Sequence, residues 1–275
     1  MAVRRKIAPM ATPSPRLIQS RQNSRVKELR AALAQTGRTP EGLIAIEGEH
    51  LIEEALRSHL RFASVFLRQD YTARLEFPPG TEQLLLPPDI FASAVATEQP
   101  QGIAALIHPP AFTAESLFRG TPLILVLAGL QDPGNLGTLL RSAEAFDATG
   151  ALLLPGTASP WNPKALRASA GSAFRIPAIG TTDEEALTLL AKHHVLAAAS
   201  VVRGGTPADA APLARPCALL IGNEGAGLSE RLIAAAQHRI TIPMPGKVES
   251  LNAAVAGSLL LYEAAHQRQD RTVRS

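Results

Sequence analysis

The chain holds a single cysteine, Cys217, so no internal disulfide can form and a reducing compartment is the natural setting. That cysteine lies in C-A-L-L-I, which reads as a buried strand, and core packing explains it better than nucleophilic chemistry. Aromatic residues make up only 4% of the chain, which argues against recognition by rows of stacked rings. No uninterrupted apolar run approaches the roughly 20 residues of a bilayer-spanning helix. The opening M-A-V-R-R-K-I-A-P-M carries charge but lacks the apolar centre of a secretory signal. A cytoplasmic protein with no membrane partner is therefore expected. The seven histidines fall into no metal-ligand spacing, so no metal is expected either. His193-His194 suits a helix end, where partial positive charge is favourable.

Charge is present but unevenly placed. The net charge is only +3, yet Arg4, Arg5, Lys6, Arg16, Arg21, Arg25, Lys27 and Arg30 face one acid, Glu28, within the first thirty residues. Such a segment suits a polyanion such as RNA; a solubilising tail is the competing reading. Residues 1–15 are expected to lack order. Residues 16–35 read as a basic helix, followed by the strand L-I-A-I-E, the helix H-L-I-E-E-A-L-R-S and the short apolar runs S-V-F-L, L-L-L-P and G-I-A-A-L-I. This predicts a small α/β domain over 16–108. The prolines, glycine and polar residues of 109–120 predict a linker.

From residue 121 to 268 strands and helices alternate, beginning with the continuous apolar run Pro122 to Leu130. That pattern predicts an α/β domain with a mainly parallel sheet covered on both faces. The last helix is expected from about Asn252 to His266, with a tail over 269–275. Ligands in such sheets bind beyond the carboxyl ends of the strands, and three loops there are unusual. In Q-D-P-G-N-L-G-T-L-L-R-S-A, Asn135 is placed to cap a helix starting at Leu136, whose buried stripe is Leu136, Leu139, Leu140, Ala143 and Phe146. Arg141 falls off that stripe and shares a face with Gly137, which leaves room for a ligand to approach the guanidinium; an ordinary surface arginine is the alternative. L-I-G-N-E-G-A-G-L sets three glycines around Asn223 and Glu224, so that backbone could approach a ligand, though the spacing is not G-x-G-x-x-G and a tight turn would also explain it. I-P-M-P-G-K-V-E-S-L-N fixes its backbone with Pro243 and Pro245. It then places Ser250 and Asn252, either of which could cap the final helix.

Together, in order and spacing, these loops resemble the three motifs of the SpoU/TrmH branch of the SPOUT RNA methyltransferases. N-S-R-V-K-E-L-R and I-E-G-E-H-L-I-E-E-A-L are similar to the RNA-substrate-binding domain, itself like small ribosomal RNA-binding proteins, that many members carry. One departure is Asp147, where the family commonly has glycine.

The resemblance implies a deep trefoil knot in the C-terminal domain, an exception to the rule that chains do not thread. It implies a homodimer paired through that domain. It also implies S-adenosylmethionine as cofactor, held by Gly222, Asn223, Gly225, Ile242, Met244, Pro245 and Leu251. The implied reaction is methyl transfer to a ribose 2′-hydroxyl of RNA, ribosomal RNA first and tRNA second, with no DNA expected. Arg141 is the implied catalytic residue, with Asn135, Glu224, Ser250 and Asn252 positioning it and the ribose. A guanidinium is ordinarily a donor with pKa above about 12, so two roles stand: a perturbed base, or a charged group that binds phosphate and stabilises the developing alkoxide. Arg21, Arg25, Lys27, Arg30 and Arg167 are the candidate RNA contacts. A non-catalytic RNA-binding protein of this fold is disfavoured by the intact polar set.

Overall fold

The computed structural model describes residues 15–34, 36–72, 75–95 and 97–274, with side chains described to residue 270. Arg4, Arg5 and Lys6 lie outside the described residues. The chain forms two compact units, dividing between Pro109 and Pro110.

The first unit contains β1 (Arg16–Leu17), α1 (Ser24–Ala34), β2 (Ile44–Glu47), α2 (Glu49–Arg57), β3 (Phe62–Arg68), β4 (Glu82–Leu86), α3 (Pro88–Ala94) and β5 (Ile103–Ile107). Its sheet runs β1-β4-β3-β5-β2, with β1 and β3 parallel to β4 and with β5 antiparallel to both β2 and β3. The helix expected over 16–35 begins only at Ser24. Arg16 and Leu17 instead pair with Leu84 and Leu85. Asn23 sets the boundary: its Oδ1 accepts the Arg25 N–H at 3.0 Å, as an N-cap does. Val26, Leu29 and Leu33 then recur at helical spacing and bury against Phe66, Leu84 and Phe91.

The second unit contains β6 (Leu123–Ala128), α4 (Pro133–Ala145), β7 (Gly150–Leu153), α5 (Pro163–Ser169), β8 (Ala178–Gly180), α6 (Asp183–Lys192), β9 (Leu196–Ser200), β10 (Thr206–Pro207), β11 (Cys217–Gly222), α7 (Glu230–Ala235), β12 (His238–Thr241) and α8 (Ala253–Arg274). Its seven strands lie in the order β10-β12-β9-β11-β6-β7-β8, and every pairing is parallel. The central β6 and β11 are buried along nearly their whole length, which is why both read as unbroken apolar runs. Cys217 is fully buried there, and desolvation pushes its thiol pKa up.

Two boundaries differ from the sequence pattern. The proline-rich stretch assigned to a linker packs with the second unit from Pro110 onward. Its Leu117 is fully buried beside Ile124 and Leu152, and Phe118 stacks on His193 with ring centroids 3.9 Å apart. His193 and His194 do close a helix, α6, with His194 in the left-handed region at φ 53°. The final helix continues to Arg274 rather than ending at His266, so 269–275 is no tail over its described part. Arg268 accounts for the extension. Its guanidinium donates to the carbonyls of Thr121, Pro122 and Arg215 at 2.8–2.9 Å, clasping the last turns of α8 to the starts of β6 and β11.

Candidate active site

The second and third loops meet at the carboxyl ends of β11 and β12 and, with the chain at the end of β9, bound a cleft of about 310 Å³. The first loop, after β6, contributes no residue to that lining and reaches its edge through Asn135. Glycine shapes the β11 side. A Cβ on Gly222 would lie 2.2 Å from the carbonyl carbon of Gly227, so only glycine lets the loop fold back on its own strand. Asn223 holds that fold: its Oδ1 accepts the N–H groups of Gly225 at 3.0 Å and Ala226 at 2.6 Å. This side chain is therefore engaged in shaping the loop, and what it leaves facing the cleft is backbone. Gly222, Asn223, Gly225, Ile242, Met244 and Leu251 all line the cleft, as do Glu224 and Ser250. Pro245 is exposed and stands outside that lining. Sequence reasoning missed Ser200, which ends β9, and Val201 and Val202, which follow it; these form the remaining wall. Their place after the strand V-L-A-A-A was the available signal.

The polar edge of the cleft is a chain of side chains from three segments distant in sequence. Asn135 donates through Nδ2 to Glu224 Oε1 and accepts through Oδ1 from Asn252 Nδ2 at 3.2 Å. Asn252 in turn caps α8, its Oδ1 receiving the N–H groups of Ala254 at 2.9 Å and Val255 at 3.2 Å. Asn135 is not the cap of α4. That helix starts earlier, with Pro133 in its first turn and Asp132 accepting the Gly134 N–H at 3.0 Å. Lys164, 2.6 Å away, holds the Asp132 carboxyl below the usual carboxylate range, helped by that N–H. Because Asp132 takes the capping role, the Asn135 amide is free to bridge Glu224 and Asn252.

Arg141 lies farther along α4. It is exposed, stands outside the cleft lining, and makes no hydrogen bond or ion pair with the described residues. The expectation that Gly137 opens space for a ligand beside it is corrected by the structure. A Cβ on Gly137 would lie 2.3 Å from the Ala165 carbonyl oxygen and 2.9 Å from the Ser169 nitrogen, so the room is filled by α5. The glycine permits close helix packing on one side of α4, and Arg141 projects to solvent. Arg167, on α5, is likewise exposed with no described ion pair.

Of the other candidate RNA contacts, three are engaged within the first unit. Arg21 pairs with Asp89 at 2.8 Å, Arg25 with Glu28 at 3.0 Å and Glu82 at 3.2 Å, and Arg30 donates to the Ser93 carbonyl at 2.6 Å and hydroxyl at 3.0 Å. Lys27 is exposed with no such partner. Among the described residues no group of histidine, cysteine or carboxylate side chains could hold a metal, and no helix is long and apolar enough to cross a membrane.

With this geometry in view, comparison with known proteins identifies the lineage. Residues 122–262 match the SpoU rRNA Methylase family. The chain belongs to that family. Residues 23–105 match the MRM3-like substrate binding domain. Among SpoU relatives, the chain is 34% identical to the 23S rRNA (guanosine(2553)-2′-O)-methyltransferase RlmP of Bacillus subtilis, over 89% of this chain and 97% of that protein. It is 31% identical to the 23S rRNA (uridine(2479)-2′-O)-methyltransferase of Streptomyces viridochromogenes, over 94% of each. The solved structure of the SpoU methyltransferase AviRb from the same organism, in complex with the cofactor AdoMet, superposes with a TM-score of 0.81. The match has 26% identity and covers 90% of this chain and 99% of that one.

The cleft suits S-adenosylmethionine on its own terms. Its volume lies at the lower end of the roughly 300–1,000 Å³ typical of ligand sites. Its walls offer backbone polar groups from Gly222–Gly227 and apolar surface from Ile242, Met244 and Leu251.

Proposed function

We infer that this SpoU protein transfers a methyl group from S-adenosylmethionine to a ribose 2′-hydroxyl of ribosomal RNA. The observation that carries this reading is a cleft lined by the second and third motifs, to which the first is tied by the Glu224–Asn135–Asn252 chain along its edge. The cofactor supplies an electrophilic sulfonium methyl. The protein must place a hydroxyl in line with it and manage a proton on a poor acid.

Gly222, Asn223 and Gly225 hold the cofactor through backbone groups, and Ile242, Met244 and Leu251 exclude water around it. Pro245 acts at one remove, by fixing the course of the loop. Glu224, Asn135 and Asn252 form a preorganised rail, with Ser250 beside it, that positions the ribose. Arg141, exposed on α4 and without a partner among the described residues, acts as a charged donor. It binds the phosphate adjoining the target ribose and stabilises the alkoxide as charge develops.

The 242–252 segment, running from β12 to α8 across the β11 loop, is where the family's trefoil knot would close. Val255, Leu259 and Tyr262 form an exposed apolar stripe on α8, 44–54% exposed, whereas Leu260 faces the core. Ala253 and Ala256 of the same helix line the cleft. A homodimer formed through this stripe would set each cleft beside the interface. The first unit serves as the substrate-binding domain, and the protein works in the cytoplasm, where its RNA is made.

Mapping 2′-O-methylation across total RNA with and without the gene tests the reading. One ribosomal RNA site should lose its methyl group when the gene is removed. Loss at a tRNA position would redirect the substrate, and an unchanged map would remove the activity.

A further inference from the structure

The loops that close the cofactor cleft also bound a second hollow. Beyond a shared wall of Val202, Thr241, Ile242 and Met244 lies a space of about 650 Å³, flanked by the segment after β9 and by the segment after β12. These strands are neighbours in the sheet, so their following loops emerge side by side. The β9 side is held firmly. Val201 N–H donates to the Ile240 carbonyl at 2.9 Å, and Thr241 Oγ1 donates to the Val202 carbonyl at 3.0 Å. Gly204 then takes φ +73°, and a Cβ on Gly205 would come within 2.7 Å of the Ile240 carbonyl carbon. The chain therefore turns back directly on the β12 backbone. Arg203 is presented from that turn, between a clamped valine and two glycines.

Lys247 lies on the opposite flank, after Gly246. Both cations are exposed, and neither makes a hydrogen bond or ion pair with the described residues. Beside them Val202 and Val248 are 51% and 63% exposed. One carboxylate, Glu249, shares the lining. Unpartnered cations next to exposed apolar side chains match a ribose-phosphate strand, whose anionic oxygens alternate with sugar and base surfaces. Continuity supports the same occupant. A strand that delivers one ribose to the cofactor cleft must pass over its rim, and on this side the rim is the shared wall.

We propose that Arg203 and Lys247 hold phosphates of the RNA strand beyond the one assigned to Arg141, so that the hollow between them is the track of that strand as it leaves the cofactor cleft. This rests on the RNA methyl-transfer reading and deepens it by assigning the strand to one side of the cleft. Arg203 and Lys247 bind and orient the strand and take no part in the methyl transfer itself.

The test uses Arg203→Gln and Lys247→Gln, singly and together, with an unmodified 23S rRNA transcript as probe. Both side chains are exposed, and unfolding temperature checks that the fold is kept. The double variant should bind the transcript on the order of tenfold more weakly, with a salt dependence flattened by about 1 to 2 in log–log slope, as two phosphate contacts imply. KM for RNA should rise while kcat at saturating RNA stays within about twofold, and S-adenosylmethionine affinity by calorimetry should not change. Unchanged RNA affinity and salt slope would overturn the proposal. So would a loss of cofactor affinity, which would assign the cations to the cofactor cleft. The parent reading fails differently: a wild-type chain that methylates no RNA would end it, and the binding measurements would still judge the two cations.

Discussion

Most arginines of the first unit's basic run are engaged, whereas several cations of the second stand free, although Lys164, Arg175 and Arg268 there are held. In the first, Arg16, Arg21, Arg25 and Arg57 reach carboxylates at 2.7–3.2 Å, and Arg30 reaches the Ser93 backbone. In the second, Arg141, Arg167, Arg203 and Lys247 stand exposed with no partner among the described residues. A run of basic residues in sequence is thus no measure of charge offered to RNA. The partners of Arg21 and Arg25 include Asp89 and Glu82, far along the chain, and folding neutralises what composition counts as free. Most of these pairs are exposed, and each contributes about 0–1 kcal/mol. Their larger effect is to keep guanidinium groups in fixed directions.

The contrast breaks first at Arg141. Arg141→Ala should lower methyl transfer by on the order of 10²–10³, as when one preorganised donor to an oxyanion is lost. Calorimetry should find S-adenosylmethionine affinity near normal, because the cleft lining is intact. Arg141→Lys should remain poor, since a point charge lacks the planar fork. Recovery of most of the rate by lysine would reduce Arg141 to a generic cation, and a fully active alanine variant would remove its role.

Gly137→Ala probes the packed side of the same helix. Alanine is the better helix former, yet its methyl group would strike α5 backbone. The expected result is a loss of about 1–3 kcal/mol from overpacking, measured by denaturant unfolding. A stabilised variant would mean α5 yields freely and does not set the position of α4.

In the first unit, Arg30→Ala should cost about 1–2 kcal/mol, because it leaves the Ser93 groups without their charged donor. Arg21→Ala should change stability by less than about 0.5 kcal/mol. Lys27→Gln should flatten the salt dependence of RNA binding more than Arg25→Gln does, since only the lysine is unpartnered. Equal slopes for the two would erase the distinction between engaged and available cations.

Asp132 gives a pH test. Its folded pKa is depressed by Lys164 and the Gly134 N–H, so its contribution to stability is present above the ordinary carboxylate range. It is lost as pH falls through the lowered value. Asp132→Asn should therefore shrink the drop in unfolding temperature between neutral pH and about pH 3; an identical profile would deny the cap its electrostatic part.

The smallest effect is expected at Asp147. It occupies φ 55° just past α4, where the Ala148 N–H returns to the Ala143 carbonyl at 2.8 Å. Asp147→Gly should raise stability by up to about 1 kcal/mol, because glycine enters the left-handed region without a Cβ penalty. A destabilised variant would point to an unrecognised contact of the aspartate.

Much of the second unit was legible because its signals are local. β6 and β11 are unbroken apolar runs, and Leu136, Leu139, Leu140 and Ala143 of the expected stripe are buried, while Phe146, just past the end of α4, is half-buried. What escaped depended on partners elsewhere in the chain. Asn135 has a cap's chemistry, but Asp132 and Pro133, three and two residues earlier, start α4 ahead of it. Gly137 looked like room for a ligand because nothing in the sequence announces that α5 lies against it. The β9 loop was overlooked although R-G-G follows a strand, since no polar motif accompanies it. The departure at Asp147 was visible as an anomaly, and the left-handed backbone there explains why glycine suits the position.

The link between Asn252 and Asn135 has a directional consequence. Because the Asn252 oxygen is committed to the first N–H groups of α8, its amide nitrogen is the only part left to face Asn135. Asn135 must then present its own oxygen to Asn252 and its nitrogen to Glu224. The orientation of a helix start thus propagates through two amides that could otherwise be flipped end for end, and it reaches the cleft as a defined acceptor. An aspartate at 252 would cap α8 equally well and still break this polarity. The side-chain identity there is a matter of handed wiring as well as helix termination.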